Sequence, residues 1–152
     1  MTQYPLLFGF NDLIAGKGFF AGVSVSGRGL LVDEGDGFWM YGVNPGGVAA
    51  GGKTPAEAQS EFRLVYRSVL FDIASEAMDF HGFKEEVDRF FNDTNKPTLA
   101  EWEKAVQEVR RENVEVDWLP KKSAESQIEA RVLLVENPVP SVNALDEAKL
   151  AA

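Results

Sequence analysis

The chain has 152 residues, no cysteine, one histidine and a formal net charge of -9. That length buries a hydrophobic core without staples; the missing thiols exclude a disulfide scaffold, a cysteine nucleophile and a thiolate zinc site, and a lone histidine cannot build a histidine-rich metal centre. The basic residues are scattered among acids, a balance that opposes binding to phosphate backbones and favours a basic protein partner.

The amino end shows no basic segment leading into an apolar core, and no apolar run approaches the roughly 20 residues that span a bilayer, so a soluble, cytoplasmic protein without a membrane partner is expected. Residues 4 to 32 read as strands, with short apolar runs punctuated at Gly9, Asn11-Asp12, Gly16-Lys17-Gly18 and Ser26-Gly27-Arg28-Gly29. Phe19, Ala21, Val23 and Val25 alternate with Phe20, Gly22 and Ser24, which places one set on each face. Leu30, Leu31 and Val32 lead into the acidic turn Asp33-Glu34-Gly35-Asp36-Gly37, and Phe38 to Val43 leads out of it, the pattern of a hairpin. On the second strand Phe38, Met40 and Gly42 oppose Trp39, Tyr41 and Val43. Both faces carry large apolar groups, so a cover is expected on each, one internal and the other open to a partner.

A glycine-rich turn follows, and then a signalled helix start: Thr54 suits the N-cap, Pro55 the first turn, and Glu57 completes a capping box. Ala58, Phe62, Val65, Val69 and Ile73 recur at helical spacing, widened by Tyr66 and Leu70, and predict a helix over 55 to 77 with those residues as core. Asp79 to Gly82 should end or bend it, and Phe83, Val87, Phe90 and Phe91 mark a second helix. Thr98-Leu-Ala-Glu101 is another capping box, opening a third helix through Leu99, Trp102, Val106 and Val109. Val114, Val116 and Trp118 alternate with acids and predict a strand ending at Pro120; Ile128 to Val135 predicts another. Residues 137 to 152 read as a polar tail with a frayed helix over 143 to 150. Strands first, a long helix next and mixed elements after argue for one α+β domain over residues 1 to 136, an antiparallel sheet of several strands with the long helix on one face.

Over residues 30 to 65 the sequence resembles the HicB-type antitoxin family, through Gly37-Phe38-Trp39-Met40-Tyr41, Pro45-Gly46-Gly47-Val48, Gly52-Lys53-Thr54 and Glu57-Ala58. The resemblance implies a degenerate ribonuclease-H-like sheet, with a core over about residues 19 to 77, and a non-enzymatic role: binding and silencing a small basic toxin that cleaves messenger RNA. It departs from the family in the stretch preceding Phe19 and in the two extra helices before the next strand. Many members append a DNA-reading unit, but residues 113 to 152 are acidic on balance, so direct DNA binding is not expected. An oligomer of identical chains is.

Asp33, Glu34, Asp36, Trp39 and Tyr41 are the candidate partner-binding residues, the aromatics combining apolar area with a polar handle on one strand face. Burial of that pair under a helix is the structural alternative. The three carboxylates could hold a divalent cation, but an acidic glycine-bearing loop is what the turn prefers, and no metal or other cofactor is expected. His81 could serve as an acid or base, yet its place at a helix end and the lack of a nucleophile beside it favour a capping role. Gly47 to Thr54 matches the spacing of a phosphate-binding loop, which would make the chain a nucleotide enzyme using Lys53 and Thr54. In a true loop of that kind the Lys-Thr pair lies inside the first helical turn, whereas Pro55 and the capping box start the helix after Thr54. A structural or assembly module is the remaining alternative.

Overall fold

The computed structural model describes residues 2–136 and 148–152. Its first two strands, β1 (Gln3–Ala15) and β2 (Phe20–Asp33), pair along their whole length from Gln3↔Val32 to Ala15↔Phe20. Of the breaks expected between residues 4 and 32, only Gly16 to Gly18 turns the chain; Gly9, Asn11-Asp12 and Ser26 to Gly29 lie within strands. Unbroken pairing of β1 with β2, and of β2 with β3 and β6 on its other side, overrides the local turn preference. At Gly27 the small residue answers a close approach, since a Cβ there would lie 2.5 Å from the Asn44 carbonyl oxygen and from the Phe8 ring.

The acidic turn joins β2 to β3 (Phe38–Asn44), as expected, with Val32↔Trp39 and Asp33↔Phe38 closing the ladder. The glycine-rich stretch then forms a further short strand, β4 (Ala49–Gly52), antiparallel to β3. Three helices follow, α1 (Pro55–Glu76), α2 (Phe80–Asn92) and α3 (Lys96–Glu112), and then β5 (Lys121–Lys122), β6 (Glu129–Leu134) and β7 (Lys149–Ala151). Among the described residues the sheet runs β4-β3-β2-β1-β7-β5, with β6 lying beside the half of β2 that β3 leaves free. Among the described residues every strand pairing is antiparallel except β5 with β7. The architecture is α+β, with a mostly antiparallel sheet.

α1 starts where Thr54 caps it, the Thr54 hydroxyl accepting from Glu57 N at 3.1 Å. Its buried line is Ala58, Phe62, Tyr66, Leu70 and Ala74. Val65, expected in the core, is exposed, and Val69 and Ile73 are only partly buried. A four-residue step advances about 40° around the helix each time, so the contact line winds with the twisted sheet beneath it. Phe8 meets Phe62 edge-on at 5.2 Å, and Phe10 stacks on Tyr66 at 5.1 Å.

α2 is capped by Asp79 and α3 by Asn95, whose side chain accepts from Thr98 N at 3.2 Å. The third helix is therefore capped three residues before Thr98, because Pro97 is tolerated in a first turn whose N–H groups need no helical partner. α3 covers the sheet face opposite α1: Trp102 and Val106 bury Leu7, Val43 and Ala151, and Trp102 Nε1 donates to Leu6 O at 3.2 Å. Buried Asn44 joins the layers. Its carboxamide accepts from Arg28 at 2.5 Å and donates to Thr94 Oγ1 and Phe91 O.

Two expectations are corrected here. Residues 114 to 118 form no strand; Val116 makes only an isolated bridge to Leu119, and Val114 and Val116 pack against the main core. The edge of β1 they approach, where Tyr4 meets Trp118 at 5.3 Å, is taken by β7. The polar tail fails at its end: Leu150 pairs with Leu6, and Ala148, Leu150 and Ala151 are buried. The rest of the expected helix over 143 to 150 lies outside the described residues.

Candidate functional site

The β2–β3 hairpin gathers all five candidate residues on one corner of the sheet. Glu34 N donates to Gly37 O at 2.8 Å and Gly35 N to Asp33 Oδ1 at 2.9 Å, which closes the turn and leaves Asp33, Glu34 and Asp36 exposed. Two residues into β3, Trp39 and Tyr41 project from the same face and stack, with ring centroids 6.1 Å apart and planes inclined by 24°. The Tyr41 hydroxyl donates to Glu34 Oε1 at 3.3 Å, tying the aromatic pair to the acidic loop. Partial burial, and then the neighbouring Glu34 carboxylate, push the Tyr41 phenol above its ordinary range.

The expected cover is complete on one side and partial on the other. Met40 is buried beneath α1, while on the opposite face α3 covers Val43 and leaves Trp39 with 43% of its surface in solvent. Burial of the aromatic pair under a helix is thus not what the structure adopts. Gly51, which the sequence offers only as part of a phosphate-loop spacing, serves the aromatic pair instead: a Cβ on it would lie 2.6 Å from the Trp39 indole, so the missing side chain is what lets the ring lie across β4. No local signal marks that role, because Gly51 meets Trp39 only through the β3–β4 pairing.

The other candidates take structural places. Gly47 to Thr54 makes no phosphate cradle: Ala49–Gly52 is extended and paired with β3, the Thr54 hydroxyl caps α1, and Lys53 is exposed ahead of the helix. His81 sits in the first turn of α2 rather than at the end of α1, exposed and 3.2 Å from Glu85. Asp12 pairs with Arg67 of α1 at 2.5 Å, away from the hairpin carboxylates. Among the described residues no three His, Asp or Glu side chains converge as metal ligands. A groove of about 520 Å³ beside α3 mixes Arg28, Lys104 and Arg110 with Glu103 and Glu125, the last held at 2.6 Å by Arg110. The Arg28 guanidinium lies over Trp102 at 5.4 Å, and desolvation lowers its pKa against the opposing pull of Glu103.

Fold and site together define a mixed α+β protein that presents an exposed tryptophan, stacked on a partly buried tyrosine, beside an acidic hairpin. No family model, curated protein or solved structure matches this chain. No helix among the described residues is long and apolar enough to cross a membrane.

Proposed function

We propose that the chain is a non-enzymatic binding protein that captures a small basic partner on Trp39 and Tyr41, with Asp33, Glu34 and Asp36 supplying the counter-charge. The exposed indole stacked on a tyrosine that is itself bonded to a carboxylate carries this reading. A lysine or arginine of the partner meets a π face and a carboxylate at once, a pairing stronger than either contact alone. The net charge of -9 steers a cationic protein toward the site over distances up to the Debye length. The resemblance to HicB-type antitoxins gives the partner a specific form: a basic messenger-RNA-cleaving toxin held silent, on a core that would be a degenerate ribonuclease-H-like sheet, in an assembly of identical chains. Nothing in the geometry of Lys53 and Thr54 favours the nucleotide enzyme over it.

Tagged chain purified from its native host at low ionic strength should bring down a small basic protein and release it as salt rises. The captured protein should cleave messenger RNA when freed and not when bound. Recovery of no basic protein under those conditions would sink the proposal.

A further inference from the structure

β4 ends the sheet, and its outer edge pairs with no other strand among the described residues. Gly42 N donates to Val48 O at 2.8 Å, which sets the phase of the β3–β4 ladder. By the alternation of antiparallel pairing, Ala49 and Gly51 then turn their N–H and C=O groups away from β3. Edge strands are normally blunted by charge, proline or a bulge. Here the edge reads Ala-Ala-Gly-Gly, smooth and uncharged, and the Trp39 ring lies over Gly51 toward it.

From this we infer that β4 receives an extended, cationic segment of the partner as an additional strand, with an arginine or lysine of that strand seated on the Trp39 ring. The inference rests on the binding role proposed above and assigns its geometry. Backbone hydrogen bonds to Ala49 and Gly51 provide affinity without regard to sequence, and the alternate side chains that fall on the Trp39 face provide selection. Charge decides between a cationic segment and a second copy of this chain. Each copy carries -9, and Asp33, Glu34 and Asp36 stand at the Gly52 end of the edge, since Phe38 pairs with Gly52.

The test uses the full chain, isotope-labelled, and a short synthetic peptide alternating arginine and valine. Binding should slow hydrogen exchange at the Ala49 and Gly51 amides and quench the fluorescence of Trp39, which the variant Trp39→Phe identifies. A peptide of the same sequence N-methylated at alternate residues, unable to donate along one edge, should bind about tenfold more weakly, and a glutamate–valine peptide should not bind. Peptide binding that depends on Trp39 but leaves the two amides unprotected would overturn the strand addition while leaving the aromatic surface as the binding site. No binding of the arginine peptide would overturn the strand addition too, and the co-purification experiment then judges the broader role separately. Ala49 and Gly51 amides already protected in a dimer of the free chain would show a second copy on the edge and overturn the proposal.

Discussion

Tyr66 shows how a single side chain ties packing to pH. It is fully buried between Phe10 and Phe90, its hydroxyl finds no hydrogen-bond partner among the described residues, and burial drives its pKa upward from 10.0. The folded chain keeps this phenol protonated, whereas the unfolded chain ionises it above about pH 10, so its contribution is intact at neutral pH and is lost as pH rises past that value. The urea midpoint should therefore fall on alkaline titration, and Tyr66→Phe should flatten the fall, leaving the smaller slope due to Tyr41. At neutral pH the same variant should be as stable as the parent or up to about 1 kcal/mol more so, because an orphaned buried hydroxyl has been removed. Asn44 is the opposite case. Asn44→Ala leaves Arg28, Thr94 and the Phe91 carbonyl without their shared partner, and chemical denaturation should show a loss of about 1–3 kcal/mol.

Among the elements, those with local signals are legible in the sequence. The start of α1 follows from Thr54, Pro55 and Glu57, three neighbours whose capping bond needs no distant group. The β2–β3 hairpin is likewise written in its acidic glycine-bearing turn. β4 and β7 were not legible. Ala49–Gly52 has no strand propensity of its own and is extended because β3 lies beside it, and Lys149–Ala151 looks like a frayed end until β1 offers Leu6 as its partner. Leu150→Ala tests the second point: a tail residue would cost nothing, whereas this buried one should cost about 2–5 kcal/mol in equilibrium unfolding. The false strand at 114 to 118 has the same origin, since alternation shows which side chains seek cover but not whether an edge is free to pair.

For the molecule as a whole, charge and shape act on the same corner. Trp39→Ala should lower stability only modestly, by about 1 kcal/mol, because the indole is already 43% exposed, yet should weaken capture of the proposed basic partner by about a hundredfold, as expected of an aromatic hot spot. Asp33→Asn with Asp36→Asn should act differently, slowing association at low salt with little effect on dissociation; stopped-flow kinetics separates the two. The five candidate residues lie within nine positions of one hairpin, so their grouping could be read from the sequence. Composition, cap chemistry and turn chemistry are properties of neighbours along the chain, and they sufficed for the acidity, the hairpin and the long helix. Whether Trp39 faces solvent, and whether Gly51 makes room for its ring, depended on where α3 stops and which strand lies beside β3. Those are contacts between residues far apart in the chain, and only folding brings them together.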